Sequence, residues 1–537
     1  MIIGLILAPV AVPLTGAVAR FLIGWRTGTR WLSAGSAALV LGAAVTLAVT
    51  QPTSRIALAG LIRVDPLSEF MLIVIGAVGL LATAATPGWL AVEIAAGRAT
   101  KRTAVRHSVL VQLFLAAMAA AVLAASLGVV WIAIEGTTIV TAFLVGHRRT
   151  RASVEAAWKY VVICSTGIAL ALLGLLVLNA AAAAAHGPSG LSWAQLVSVA
   201  PHLDRAVTRI AVGLLIVGFG TKAGLAPLHA WLPDAHGQAP APVSALMSGV
   251  LLSVAFYAML RVKAIADLAL GTGYARTLLV ILALVSLLLA ASLLIGQRDY
   301  KRMLAYSSIE HMSILALGAA AGGPLGLSAV LLHMLGHGLA KGSLFICAGQ
   351  VLQVTGTHRI SRVRALAAGY PLLAGCLGFG VLALLGFPPF SLFASEIGIA
   401  RAGFAQGLTW PTAVALLLIL VIAAALIGHV SRMLLGAPVE TPESIADHAP
   451  DHAPVAVGAT AGSRMPLSPG EPHPPDAVRR GGTGTRNESA AGPQTRRRPA
   501  ELPVVIALAA CAVIGVYAGP LTTLLHSAAA VLPGGMP

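Results

Sequence analysis

The chain is 537 residues long, 58% hydrophobic and only 10% charged, against roughly 25% charged residues in soluble domains. That composition excludes a water-soluble globular protein. The formal net charge of +16 is carried largely by short loops between apolar runs, which points to membrane topology and anionic lipid, not to nucleic acid.

A helix needs about 20 apolar residues to cross a bilayer, and runs of that kind recur along the chain. They predict an all-α polytopic membrane protein of about fourteen transmembrane helices. The expected spans are 2–23, 31–50, 68–93, 108–126, 128–146, 160–182, 208–228, 241–262, 277–296, 303–320, 325–352, 369–400, 410–435 and 502–530. The third and twelfth are long enough to tilt or break. Met1 starts the first span directly, without a basic n-region or a convincing small-residue cleavage site, so this span reads as a retained helix instead of a signal peptide.

The loops after odd-numbered spans hold the basic residues: Arg26 and Arg30; Arg98, Lys101, Arg102 and Arg106; Arg148, Arg149 and Arg151; Arg298, Lys301 and Arg302; Arg359, Arg362 and Arg364. The positive-inside rule makes these loops cytoplasmic and turns both termini outward. The stretch 437–501, rich in Pro, Gly, Ala and Arg, reads as a disordered cytoplasmic loop. Its "DHAPDHAP" alternates Asp447, His448, Asp451 and His452, but Pro-interrupted Asp-His pairs preorganise no metal geometry, and a solvated linker is the better reading. Cys164, Cys347, Cys376 and Cys511 fall inside spans with no cluster spacing, so they read as buried small residues. No iron–sulfur or zinc spacing, Gly-rich phosphate loop or nucleophile elbow is present in the sequence. The chain is therefore expected to hold no cofactor or metal and to perform no redox chemistry of its own.

Charge inside the membrane is the informative signal, because each such residue costs at least about 2.5–3.5 kcal/mol on insertion scales. Span 5 carries Glu135. Span 7, "LLIVGFGTKAGLAPLHAWLPDAH", carries Lys222, followed by His229, Asp234 and His236. Span 11 carries His333, His337 and Lys341 at intervals of four, on one helical face over roughly 12 Å of axis. Histidine exchanges protons near neutral pH, and lysine taken out of water gives up its proton more readily, so this face suits proton transfer through internal water. The blander alternative is two structural histidines and a snorkelling lysine. Span 12 carries Glu396 after "GFPPFSLF". Spans 7 and 12 thus pair a Gly/Pro interruption with a charge, five spans apart, which marks an internal repeat with a transport site between its halves; ordinary proline kinks are the alternative.

The stretches "GFGTKAGLAPLHAWLPDAHGQAPAPVSALMSGVLL" (219–252), "RDYKRMLAYSSIEHMSILALG" (298–318) and "HMLGHGLAKGSLFICAGQV" (333–351) closely resemble the antiporter-like subunits shared by respiratory complex I, Mrp-type cation/proton antiporters and membrane-bound [NiFe] hydrogenases. The resemblance runs from about residue 60 to 435 and is strongest to the membrane subunits of hydrogenase and formate hydrogenlyase. It implies inverted five-helix repeats with spans 7 and 12 broken: spans 1–3 in 1–107, a first half-channel in 108–262, a second in 263–436, and a last helix in 502–537. It also implies that Glu135 and Lys222 are the charged pair of the first half, that His333, His337 and Lys341 form the relay of the second, that His311 takes part in proton translocation at a position where related subunits also carry histidine, and that Glu396 is the exit residue. Two departures stand out. Ser253 occupies the position where many relatives carry a bridging lysine, with Lys263 near the helix end, and Glu396 replaces a lysine of some relatives.

The resemblance implies a proton-translocating subunit of a respiratory or hydrogenase-type oxidoreductase complex in the bacterial cytoplasmic membrane. Its partners would be other membrane subunits, peripheral redox subunits, protons and lipid. Two rival readings are an Mrp-type Na⁺(K⁺)/H⁺ antiporter subunit and an ion-coupling subunit for inorganic-carbon uptake.

Overall fold

The computed structural model describes residues 2–50, 55–185, 190–437 and 501–532. Its first half contains α1 (Ile2–Ile23), α2 (Leu32–Thr50), a hairpin of β1 (Arg55–Ala57) and β2 (Ile62–Val64), then α3 (Pro66–Ala95), α4 (Lys101–Leu123), α5 (Leu127–Val145), α6 (Arg151–Ala184), α7 (Trp193–Val199), α8 (Arg205–Lys222) and α9 (Trp231–Gln238). Next come α10 (Ala241–Leu246) and α11 (Leu252–Leu270), joined through a π-helical turn at Met247–Leu251, and α12 (Thr272–Ile295). The rest is α13 (Tyr300–Ala321), α14 (Gly323–Thr355), α15 (Leu366–Gly369), α16 (Pro371–Leu384), α17 (Ser391–Ala405), α18 (Thr409–Leu435), α19 (Glu501–Val516) and α20 (Gly519–Ala530).

The protein is a multi-pass, almost entirely helical membrane protein. Among the described residues ten helices are long and apolar enough to cross a membrane, with α10 and α11 taken together, or eleven if the bent pair α19–α20 is one span. The sequence predicts about fourteen, and the difference has a physical origin. Helix α8 holds Arg205, Arg209 and Lys222, α13 holds Lys301, Arg302 and Glu310, and expected span 12 is split into α16 and α17. Expected span 3 is one continuous helix, α3. The expected loop 437–501 lies, apart from its two end residues, outside the described residues.

Helix starts follow local chemistry. Asp65 caps α3 by accepting from the Ser68 amide, with Pro66 in the first turn, where a missing N–H costs nothing. Asp299 caps α13 by accepting from the amides of Lys301 and Arg302 at 2.8 and 3.0 Å. Burial then sorts the helices. The α10–α11 unit and α14 are enclosed on all sides, whereas α1, α6 and α18 present exposed Phe21, Trp158 and Leu420 on outward faces, as lipid-facing helices do.

Two interruptions interest function. Helix α8 stops at Lys222, and Gly224, at φ +82°, begins a non-helical stretch. Its freed backbone groups are satisfied by side chains: Ser286 Oγ accepts from the Ala226 amide at 2.8 Å, and Trp231 Nε1 donates to the Thr221 carbonyl at 3.0 Å. Helix α16 stops at Leu384, and the Gly386–Pro389 turn leads into α17.

The basic loops gather at one end of the bundle. Asp299 bridges to Arg359, Tyr300 OH donates to the Thr357 carbonyl at 3.0 Å, and Lys301 Nζ donates to the Ala239 carbonyl at 2.8 Å. Arg302 and Lys159 both reach Asp234, at 3.2 and 3.3 Å. Glu93 at the end of α3 accepts from Arg98 and from Gln353 at the end of α14. His358, in the loop after α14, is held down at about 4 by burial and then by nearby Lys301, so it stays neutral in this basic end.

Candidate functional site

In the first half, Lys222 is fully buried at the broken end of α8. Its Nζ donates to Thr138 Oγ1 at 2.8 Å and to Tyr160 OH at 2.6 Å, and it lies 4.6 Å from the Tyr160 ring centroid. Having accepted from the ammonium, Thr138 Oγ1 points its own proton to Glu135 Oε2 at 3.0 Å. Ser165 Oγ holds the other carboxylate oxygen at 3.2 Å. Glu135 and Lys222 are therefore brought together, but through the Thr138 hydroxyl; among the described residues they make no direct ion pair. Glu135 is only partly buried, so this half runs from an enclosed ammonium to a more accessible carboxylate. Tyr160 also hydrogen-bonds Thr141, which fixes the phenol that faces Lys222.

In the second half, α14 carries His333, His337 and Lys341, all fully buried. Lys341 Nζ donates to the Leu304 carbonyl at 2.6 Å and to Ser307 Oγ, both on α13. One turn along α13 from Ser307 lies Glu310, whose carboxyl interacts electrostatically with both Lys341 and Glu396. Beside it His311 Nδ1 and His333 Nε2 are 3.1 Å apart, and His333 Nδ1 lies 2.9 Å from Ser395 Oγ on α17. The His337 ring centroid is 5.0 Å from that of His311, and neither of its nitrogens has a protein partner. Next to Ser395, Glu396 sits half-buried in the wall of a cavity with Phe393, Ile397, Thr412 and Leu416. One ring nitrogen each from His311 and His333 and one Glu396 oxygen lie within 4.8 Å of one another. Cysteine spacing gave no hint of such a donor set, because its members come from three helices.

Between the halves, the π-helical turn presses on α14. A Cβ at Gly249 would meet the Gly338 carbonyl oxygen at 2.9 Å, and one at Gly338 would meet that of Gly249 at 2.8 Å, so the two backbones touch only because both residues are glycine. Ser248 and Ser308 hydroxyls pair at 2.8 Å, Ser253 is buried with an unpartnered hydroxyl, and His236 stacks on Phe345 with both nitrogens unpartnered. Lys263 pairs with Asp267 at 2.5 Å, towards the far end of α11. All four cysteines are buried and free.

Several partners were not expected from sequence: Thr138, Tyr160, Ser307, Glu310 and Ser395. Glu310 had a signal, since it precedes His311 in "YSSIEHM" and lies three residues after Ser307. The buried Asp65–Arg261 pair was missed as well. Arg261 Nη2 reaches both Asp65 oxygens, at 2.8 and 2.7 Å, while its guanidinium lies 4.5 Å from the Trp193 ring centroid. The pair ties α11 to the start of α3.

Residues 124–435, more than half of the chain, match the family described as "NADH:quinone oxidoreductase/Mrp antiporter, TM". The chain belongs to this family. All seven expected site residues, from Glu135 to Glu396, fall inside the matching region. The chain is 37% identical over 345 residues to the hydrogenase-4 component F homolog of Methylacidiphilum infernorum (isolate V4), covering 64% of this chain and 72% of that protein. It is also 37% identical over 260 residues to NADH-quinone oxidoreductase subunit N of Desulforudis audaxviator (strain MP104C), covering 47% of this chain and 50% of that one. The fold is similar to that of a chain in the Mrp complex from Dietzia sp. DQ12-45-1b, with a TM-score of 0.77 at 23% identity over 98% of this chain and 97% of the other. A chain of respiratory complex I from Thermus thermophilus gives 0.73 at 23% identity, over 99% and 100%. The antiporter-like family expected from the three sequence motifs is thus the family found.

Proposed function

We propose that this antiporter-like subunit moves protons across the bacterial cytoplasmic membrane inside a multi-subunit respiratory or hydrogenase-type complex. Its partner subunits would supply the redox chemistry. The protein crosses the membrane about fourteen times with both termini outside, and its two halves are inverted repeats broken at 223–230 and 385–390. Residues 1–107 and 502–537 flank them, and 437–501 is a cytoplasmic linker.

The observation that carries this reading is the row of buried Lys341 and Glu310 and half-buried Glu396 beside three fully buried histidines. Proton exchange gives such a row a use, because it sets titrating groups of both charge types on three facing helices, from a fully enclosed ammonium to a carboxyl at a cavity wall. Lys222, Thr138 and Glu135 give the first half a similar row. A change in the partner complex that alters the charge near Glu135 changes how strongly the Lys222 proton is held. Through Coulomb interactions that change reaches the α14 row, and a proton leaves by Glu396. His236, Ser248, Ser253 and Ser308 lie between the halves, with Ser253 at the position where many relatives carry a bridging lysine.

Substitution of Lys341 tests the reading. Lys341→Met removes the titrating group and Lys341→Arg keeps a charge that does not leave. Proton pumping in vesicles is expected to be lost in both, with assembly intact. An Arg variant that pumps at the wild-type rate would show a static ammonium and reject the relay. Na⁺ dependence of the same activity would favour the Mrp-type alternative.

A further inference from the structure

The His311, His333 and Glu396 constellation has a property that proton relay does not require. Ser395 Oγ lies 2.9 Å from the Leu392 carbonyl oxygen and 2.9 Å from His333 Nδ1, so it is placed to donate to the first and accept from the second. With Ser395 donating to Leu392, His333 carries its proton on Nδ1 and turns the Nε2 lone pair to His311. This is how metal-binding histidines are held: a partner on one nitrogen orients the other. The two facing nitrogens are 3.1 Å apart, and two zinc–nitrogen bonds in a tetrahedron span about 3.3 Å. Glu396 brings a carboxylate oxygen within 4.8 Å of a ring nitrogen of each histidine, and it is the one of the three that borders a cavity at the bundle surface. Two buried features remain without a protein partner there, His311 Nε2 and both nitrogens of His337.

We propose that His311, His333 and Glu396 bind one divalent transition-metal cation of the Zn²⁺ class, with a fourth position left to water, and that the bound cation arrests proton movement through the second half. Two imidazoles and a carboxylate are a borderline-soft donor set that favours zinc-like ions over Mg²⁺ or Ca²⁺. On binding, the proton shared between the histidines moves from His311 Nδ1 to Nε2 of the same ring. The imidazoles stay neutral, and any proton on Glu396 leaves to water. The arrest rests on the proton-translocation reading; the binding does not.

The test uses the purified complex containing the full chain, with Co²⁺ as a spectroscopic probe and Zn²⁺ as competitor. One Co²⁺ per chain with a four-coordinate nitrogen/oxygen spectrum, displaced by Zn²⁺, is expected. His333→Asn and Glu396→Gln should weaken it at least about 10-fold, and Ser395→Ala about 10- to 100-fold. His311→Cys guards against loss through misfolding, since a thiolate at a ligand position adds a sulfur-to-cobalt charge-transfer band. Absence of that band, or Co²⁺ affinity unchanged in His333→Asn and Glu396→Gln, overturns the site whatever transport does. Co²⁺ bound as described with pumping unaffected by Zn²⁺ overturns the arrest and keeps the site. Metal-free Glu396→Gln that pumps normally tells separately against the proton path.

Discussion

Thr138 is a small residue with a large electrostatic task. It accepts from the Lys222 ammonium and donates to Glu135, so a proton shift at either end is felt at the other through one hydroxyl. Thr138→Val keeps the shape and deletes the link. A hydrogen bond to a charged group contributes about 1.5–3 kcal/mol, so proton pumping should slow by roughly 10-fold or more, and Thr138→Ser should restore most of it. Wild-type pumping by the Val variant in reconstituted vesicles would remove the bridge from the mechanism. The same residue shows where sequence reading stops. Glu135, Lys222 and the α14 triad were legible because ionised groups in an apolar run are costly and rare. Thr138, Ser307 and Ser395 were not, because hydroxyls sit cheaply in helices by bonding their own backbone, and only the facing helix reveals that they hold a lysine or a histidine. Glu135 and Lys222, the charged pair that the resemblance implies, meet in the structure through that hydroxyl.

At the scale of elements, two long apolar stretches behaved differently. Helix α3 contains Pro87 and stays continuous, whereas 369–400 breaks between Leu384 and Ser391. One proline deletes one donor, which a buried helix tolerates. Gly386 followed by Pro388 and Pro389 removes two donors and adds a residue with φ +63°, and the helix ends. The break was legible for that reason. The π-helical turn at Met247–Leu251 was not, and its Gly249 packs against Gly338 on another helix. Gly386 has a second duty: a Cβ there would collide with the Glu396 carboxylate. Gly386→Ala should therefore displace Glu396, lower pumping severely and destabilise the subunit by about 1–2 kcal/mol from backbone strain alone. Gly378→Ala is the control, because its Cβ would meet only Leu434 Cδ1 at an ordinary 3.5 Å inside α16. That variant should pump normally and melt no lower than wild type in detergent, and equal damage from both substitutions would deny Gly386 its special place.

The whole molecule has an electrical polarity built from its loops. Arg98, Arg302 and Arg364 are far apart in sequence, yet their side chains are tied into one end of the bundle through Glu93, Asp234 and the Arg432 carbonyl, where the Arg359 backbone also pairs with that of Asp299. The opposite end, where α11 turns into α12 at Gly271, has Arg205 bonded to the Leu270 carbonyl and no comparable gathering of basic loops among the described residues. The orientation proposed above, with the basic end in the cytoplasm, follows from this asymmetry by the positive-inside rule, because translocating those arginines is disfavoured and the inner leaflet attracts them. The consequence can be read with a thiol probe, since all four native cysteines are buried and give a low background. Ala152, exposed at the start of α6, and Gly273, exposed at the start of α12 with open space around its Cα, accept a cysteine without a clash. In intact cells a membrane-impermeant maleimide should label Gly273→Cys and leave Ala152→Cys unlabelled, and in inside-out vesicles the pattern should reverse. The opposite pattern would invert the topology and, with it, the direction in which Glu396 releases its proton.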